Sequence, residues 1–148
     1  MQGMQLLPGG NRNALNKKFN SKGERDWSHG LCSCFEDCGT CCLACWCPCV
    51  VYGKNKQRID YLERRGTPRP DGGATFSADC TMHALAGCLG GWGWVLQIGS
   101  RGEVRTRYNI RGTVFEDCCI SFWCNGCDLV QEHREIQAEE QSFGRPMP

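Results

Sequence analysis

Apolar residues recur at helical spacing in two charged segments of the chain, and we predict an amphipathic helix in each. Residues 54–65 (K-N-K-Q-R-I-D-Y-L-E-R-R) place Ile59 and Leu62 three positions apart among charged side chains. The apolar side of the second segment, residues 128–140 (D-L-V-Q-E-H-R-E-I-Q-A-E-E), consists of Leu129, Val130 and Ile136. The Gly- and Pro-rich residues 66–75 are predicted to form a loop after the first helix.

A third segment, residues 79–100, is uncharged after Asp79 and raises the question of a membrane span. Its length of about twenty residues is enough for a helix to cross a bilayer. Its glycines weaken a helix, and Thr81, His83 and Gln97 are polar. We therefore predict a buried core helix with Asp79 as its N-cap, and keep a membrane-spanning helix as the alternative.

Cysteine is concentrated in two blocks that flank these helices. Eight of the eighteen residues in 32–49 are cysteine, and a second block covers residues 115–127. The sequence F-E-D-C occurs in both blocks, and each copy leads to a Trp-Cys pair followed shortly by another cysteine. This repeat suggests that the two blocks face each other.

Length and composition predict one small domain with flexible ends. The chain has 148 residues, 14 of them cysteine, with 17 basic and 16 acidic side chains in near balance. Residues 1–26 are polar and lack an apolar signal segment, so we predict a disordered tail, a cysteine-rich domain over 27–140 and a second disordered tail over 141–148. The fold class is predicted to be mainly α, with irregular cysteine-bearing loops held together by metal.

The cysteines have three chemical interpretations: metal ligands, disulfides or sites of S-acylation. Without a secretory signal the chain is expected in the cytoplasm, where thiols stay reduced and metal ligation is favoured over disulfides. Two C-x-x-C pairs, beginning at Cys38 and Cys124, have the spacing of zinc sites. The predicted zinc ligands are Cys34, Cys38, Cys41, Cys47, Cys49, Cys124 and Cys127.

Catalysis and nucleic-acid binding are disfavoured. His29, His83 and His133 lack the context of a catalytic residue, and His133, between charged neighbours, is expected to be solvated. The basic strip over 101–112 is short and accompanies an acidic helix, which argues against nucleic acid. Its arginines, Arg105, Arg107 and Arg111, are predicted either to contact lipid or to pair with Glu132, Glu135, Glu139 and Glu140.

Three motifs, taken together, give the chain a family resemblance. C-C-x-x-x-x-C-P-C occupies residues 41–49, R-x-x-x-R-T-R-Y-x-I-x-G occupies 101–112, and C-x-x-C-x-x-x-Q-E-x-R-E occupies 124–135. In this order they resemble the placenta-specific-eight family, which includes onzin, cornifelin, and the plant cell-number-regulator and cadmium-resistance proteins. The resemblance implies membrane association, cell-number control or metal tolerance, without one shared reaction.

The function predicted from these observations is non-enzymatic. We expect a zinc-binding protein held peripherally at the cytoplasmic face of a membrane, acting as an adaptor or in metal homeostasis. Its expected partners are another protein or the membrane surface, with self-association open. The alternative is an oligomeric transmembrane protein that transports or exports divalent metal.

Overall fold

Six α-helices make up most of the structure, a computed structural model that describes residues 12–143 except the side chains of Cys32 and Cys34. A short 3-10 helix, Leu31–Glu36, precedes them. The helices are α1 (Cys38–Trp46), α2 (Pro48–Arg65), α3 (Ala78–Cys88), α4 (Gly93–Tyr108), α5 (Val114–Trp123) and α6 (Asn125–Ser142). Within the described residues there is no strand, only an isolated bridge between Arg25 and Ile110. The prediction of a mainly α fold is confirmed.

Local side-chain chemistry explains where several helices begin. Asp37 accepts a hydrogen bond from the backbone N–H of Thr40, and so caps α1 inside the first cysteine block. Ser77, rather than the predicted Asp79, caps α3. Pro48 suits the first turn of a helix because it has no N–H to leave unsatisfied, so α2 begins well before residue 54. The cysteine blocks are consequently helical over much of their length.

The uncharged run over 79–100 is two helices, so the prediction of one buried core helix is wrong. Gly90 and Gly91 have φ of 136° and 75°, values that favour glycine, and they form the turn between α3 and α4. The outer side of α3 is apolar and exposed, including Met82 and Leu85. No helix among the described residues has the length and apolarity needed to cross a membrane.

Helices α2, α4 and α6 form the centre of the molecule and bury two apolar clusters. The first cluster contains Ala44, Val51, Tyr52, Leu129 and Val130. The second contains Ile59, Leu62, Val104, Tyr108, Ile110 and Ile136. Between the clusters in sequence, each central helix carries buried polar residues: Asn55 on α2, Gln97, Ser100 and Arg101 on α4, and Glu132 on α6. A polar layer therefore separates two halves of the apolar core.

The buried interior includes a residue that precedes the predicted domain start at Trp27. Arg25 is 1% exposed, and its guanidinium donates to the Glu135 carboxylate at 2.6 Å. Its backbone N–H donates to the Asn109 carbonyl at 2.8 Å, which fixes the segment beside the end of α4. Residues 1–11 and 144–148, which belong to the two predicted tails, lie outside the described residues.

Candidate functional site

Two cysteines with the same backbone conformation form the corners at which one helix ends and the next begins. Cys47 joins α1 to α2 with φ −135° and ψ 67°, and Cys124 joins α5 to α6 with φ −124° and ψ 50°. Each follows an exposed tryptophan, Trp46 at 85% and Trp123 at 78% exposure. We call Cys47 and Cys124 the cysteine corners. The repeated Trp-Cys pairs are thus repeated structural elements.

The end of α1, just before the first corner, packs against the start of α6, just after the second corner. A Cβ placed on Gly126 would come within 3.9 Å of the Cys45 Sγ and 4.0 Å of Ala44. Cys41 on α1 and Cys127 on α6 pack against the same apolar cluster. The two cysteine blocks therefore face each other, as the repeat suggested.

The predicted zinc ligands are spread over several environments. Cys38 is exposed and lies 3.2 Å from the Phe35 carbonyl oxygen, and Cys47 is exposed at its corner. Cys41, Cys49, Cys124 and Cys127 are half-buried. The side chain of Cys34 is not among those that the structure describes. Among the described side chains, no three His, Cys, Asp or Glu residues form a group that could hold a metal ion. The described thiols do not form a ready zinc site, and zinc binding stays a prediction.

Cys49 has a partner that the sequence analysis did not identify. Its thiol hydrogen-bonds with buried Cys80 at the start of α3, and burial followed by this contact raises the pKa of Cys49. A raised pKa favours the thiol over the metal-binding thiolate. The two cysteines are 31 positions apart, and the packing of α2 against α3 brings them together; no spacing motif indicates it.

An aromatic surface extends from the start of α4 to the end of α5. Trp92 stacks on Trp94 at 6.4 Å between ring centroids, and Trp94 meets Phe122 edge-on at 5.2 Å. Phe122 in turn meets Trp123 at 5.0 Å, which carries the row to the second cysteine corner. We call these four residues the aromatic row. Three of them are at least half exposed, so the row offers an apolar surface beside the exposed thiols.

The arginines of the basic strip are used within the fold. Arg107 pairs with Glu139 as predicted, with Nη2 2.8 Å from Oε2. Arg105 instead pairs with Asp117 at 2.5 Å, and Arg111 pairs with Asp26 at 2.5 Å. The other predicted acceptors also have different partners: Glu132 accepts from Ser100, Glu135 from Arg25, and Glu140 from Arg58. Intramolecular pairing accounts for these charges better than lipid contact does.

The prediction that His133 is solvated is wrong. Its side chain is 19% exposed, and its Nδ1 lies 2.7 Å from an Arg58 guanidinium nitrogen. Because a guanidinium only donates, Nδ1 accepts and the ring is neutral. Burial, and then the positive charge of Arg58, lower the pKa of His133 to about 4. His83 is buried against the Tyr52 ring, with 4.8 Å between centroids, and has a structural role.

These features define a class of protein: a small helical domain with two cysteine corners, two cysteine blocks that face each other, and an exposed aromatic surface. The sequence profile of the PLAC8 family matches residues 27–135, which include both corners. The chain belongs to the PLAC8 family. No solved structure gives a significant match.

Curated relatives extend the comparison. Cell number regulator 11 of Zea mays is 38% identical over 112 residues, which cover 76% of this chain and 63% of the relative. Protein PLANT CADMIUM RESISTANCE 2 of Arabidopsis thaliana is 35% identical over 123 residues, which cover 83% of this chain and 73% of the relative. The chain thus spans about three fifths of the cell number regulators it matches, with 63% for one and 58% for another. The family and these names fit a metal-related role.

Proposed function

We propose that this protein is a non-enzymatic, membrane-associated protein that binds soft divalent metal ions through the thiols around its two cysteine corners. The observation that supports this most directly is the packing of the two cysteine blocks against each other, with Cys45 beside Gly126 and Cys47 exposed. Thiolates select soft and borderline metals such as zinc. The cadmium-resistance relatives point to the same chemistry. In this proposal zinc is the structural ion, and the protein acts as an adaptor or in metal homeostasis.

Metal binding in this proposal includes a movement of exposed thiols toward one another. Exposed side chains at a helix corner change rotamer at little cost, and the packing of α1 on α6 keeps the two blocks close. Binding would join residues that are far apart in the chain, so the metal would also stabilise the fold.

Attachment to a membrane surface is supported by what lies beside the thiols. Trp46 and Trp123 are exposed at the two corners, and the aromatic row continues from Trp123. Tryptophan favours the membrane–water interface because its ring is large and apolar and carries one N–H. The location we propose is the cytoplasmic face of a membrane, where the same thiols remain reduced.

Elemental analysis tests the metal proposal. Protein purified without chelators should contain close to stoichiometric zinc, and Cys47→Ser and Cys124→Ser should each lower the metal content. Cys88→Ser is the matched control, because Cys88 is an exposed cysteine of α3 outside the predicted ligands. A metal-free protein with oxidised thiols would falsify the proposal.

The alternative function is that of an oligomeric transmembrane carrier of divalent metal. Extraction of membranes with alkaline carbonate distinguishes it from the peripheral protein proposed above. A peripheral protein leaves membranes in alkaline carbonate, whereas a carrier stays with the lipid. Retention of the full chain in the washed membrane would replace the peripheral proposal with the carrier.

A further inference from the structure

Three helices meet at the polar layer, and each contributes a buried amide or carboxyl group. Asn55 of α2 is 1% exposed, while Gln97 of α4 and Glu132 of α6 are 0% exposed. Burying such groups costs free energy unless each polar atom has a partner. The partners of these side chains therefore determine what the layer can bind.

One oxygen of each side chain has no hydrogen-bond partner among the described residues. These atoms are Oδ1 of Asn55, Oε1 of Gln97 and Oε2 of Glu132. The other polar atom of each side chain is held in place. The Asn55 amide donates to the Leu129 carbonyl at 3.2 Å, and Glu132 Oε1 accepts from the Ser100 hydroxyl at 3.0 Å. The Gln97 amide lies 3.1 Å from Nε2 of His83.

These contacts link the three side chains in a closed ring that runs through α2, α6, α4 and α3. Leu129, which accepts from Asn55, lies one helical turn before Glu132 on the same side of α6. Ser100, which donates to Glu132, lies one turn after Gln97 on α4. The ring closes through His83, because its imidazole packs on Tyr52, one turn before Asn55 on α2.

The charges around the layer do not balance. Arg101 pairs with Asp117 and Asp128 at 3.2 and 2.8 Å, and Arg105 pairs with Asp117. Two guanidinium groups thus face three buried carboxylates once Glu132 is counted. Glu132 also lies near the Tyr52 hydroxyl, which carries no positive charge. His83, which contacts the Gln97 amide, has its pKa lowered by burial, and this favours its neutral form. The cluster is therefore short of one positive charge when Glu132 is ionised.

We propose that Asn55, Gln97 and Glu132 form a buried binding site for a hard monovalent cation of the Na⁺ or K⁺ class. Two amide oxygens and one carboxylate oxygen are ligands that hard cations prefer over soft ones. A single positive charge would balance the cluster. The site is independent of the cysteine corners and of the thiol chemistry proposed for them.

A proton on Glu132 is the competing explanation. Burial, and then the Asp128 carboxylate, raise the pKa of Glu132 well above its ordinary value, so a proton binds readily when no cation is present. A protonated Glu132 can donate to one amide oxygen and leaves the other without a partner. In the proposed site a cation contacts all three oxygens. The presence of three unpartnered oxygens, two from amides and one from a carboxylate, therefore favours a cation over a proton. The proton competes with the cation for Glu132.

Thermal unfolding of the full chain in NaCl, KCl and choline chloride of equal ionic strength tests the site. Choline is too large to enter a buried layer, so it controls for ionic strength. At about ten times the dissociation constant, Na⁺ or K⁺ should raise the unfolding midpoint by about 3–6 °C relative to choline. The difference should shrink as the pH falls, because the proton displaces the cation from Glu132. Equal midpoints in the three salts would overturn the proposal in favour of the proton.

Glu132→Gln identifies the location of the effect, because it preserves shape and the contact with Ser100 while removing the charge. The difference between salts should disappear in Glu132→Gln and persist in Glu103→Gln, which removes a carboxylate from an exposed position of α4. If Glu132→Gln does not fold, Gln97→Met removes one amide oxygen and should weaken the salt difference. A salt difference that survives both layer variants would place the ion elsewhere and refute the site.

Discussion

Arg107 on α4 and Glu139 on α6 form a buried two-pronged ion pair, with N···O distances of 3.0 and 2.8 Å. Their side chains are 5% and 4% exposed, and the Tyr108 hydroxyl donates to the same carboxylate at 2.6 Å. Burial, and then this carboxylate, raise the pKa of Tyr108 well above its ordinary value, so the hydroxyl keeps its proton and remains a donor. The contact joins two central helices beside the second apolar cluster.

Replacing Arg107 with lysine should destabilise the protein although the charge is kept. Lysine cannot donate two parallel hydrogen bonds, and it would leave part of the Glu139 carboxylate unpaired in a buried place. We expect a loss of about 2–4 kcal/mol in the free energy of unfolding by urea. Arg64→Lys is the control, since Arg64 pairs with Asp60 at the surface, where such pairs contribute little. Equal effects of the two substitutions would contradict the importance of the two-pronged geometry.

His133 should make stability depend on pH in a predictable direction. Its pKa is lowered to about 4 in the folded protein against 6.5 for an ordinary histidine, so the neutral ring is the folded form. The neutral ring of His133 therefore contributes to the free energy of unfolding above pH 6.5, and this contribution is lost as the pH falls toward about 4. Asp128 acts in the opposite sense, because burial raises its pKa from 3.8 to about 6 and its contribution is lost as the pH rises through that range.

Because His133 and Asp128 affect stability in opposite directions as the pH changes, His133→Gln tests the contribution of His133 to this pH dependence. Between about pH 4.5 and 6 the slope of unfolding free energy against pH should fall by up to about 1.4 kcal/mol per pH unit relative to the unsubstituted chain. Urea unfolding over a pH series measures this slope. An unchanged slope would mean that His133 does not bind protons differently in the folded and unfolded states.

Two glycines in helices should respond in opposite ways to alanine. A Cβ on Gly53 would come within 2.9 Å of both the Cys80 Cβ and the Ser77 Oγ, where α2 and α3 pack closely. We expect Gly53→Ala to cost about 1–3 kcal/mol through overpacking. Gly99 on α4 has no atom within 4 Å of such a Cβ, and Gly99→Ala should stabilise by about 0.5–1 kcal/mol. Destabilisation by both substitutions would argue against a close approach specific to Gly53.

Flotation with lipid vesicles tests the aromatic surface. Replacing Trp46 and Trp123 together by serine should reduce the vesicle-bound fraction several-fold, because both side chains are exposed and would lose their favourable place at the interface. Phe76→Ser is the control, since Phe76 is also exposed, at 81%, but precedes α3 and lies outside the corners and the aromatic row. Binding that is unchanged in the double variant would remove these tryptophans from membrane attachment.

Short-range features of the fold could be predicted from sequence because their causes lie within a few residues. Ile59, Leu62 and Ile136 mark helical faces by spacing, and all three are buried in the second cluster. Gly66, predicted to end its helix, adopts φ 70° at the end of α2. The turn that divides residues 79–100 was harder to predict, because glycine is tolerated in helices and the sequence does not specify the φ that each glycine adopts.

Long-range features of the candidate site could be predicted from the sequence only in part. The repeated Trp-Cys pairs correctly suggested that two blocks face each other, and the structure places Cys45 beside Gly126. No sequence pattern indicates the contact of Cys49 with Cys80, since this contact depends on how α2 packs against α3. The arginine partners were predicted by charge alone, and charge identified Arg107–Glu139 but not Arg105–Asp117.

By itself, then, the sequence determined the mainly α fold class, the helical faces marked by Ile59, Leu62 and Ile136, and the family of this protein, since periodicity and motifs act over short stretches of chain. The tertiary structure decided which buried charge meets which, where the cysteine corners lie, and that Asn55, Gln97 and Glu132 each bury one oxygen without a partner among the described residues. Those relationships arise when α2, α4 and α6 pack, because packing brings together atoms from residues tens of positions apart. The hydrogen bond between Asn55 and Leu129 spans 74 positions, and the one between Ser100 and Glu132 spans 32. A buried polar atom finds its partner, or lacks one, only after the helices have come together.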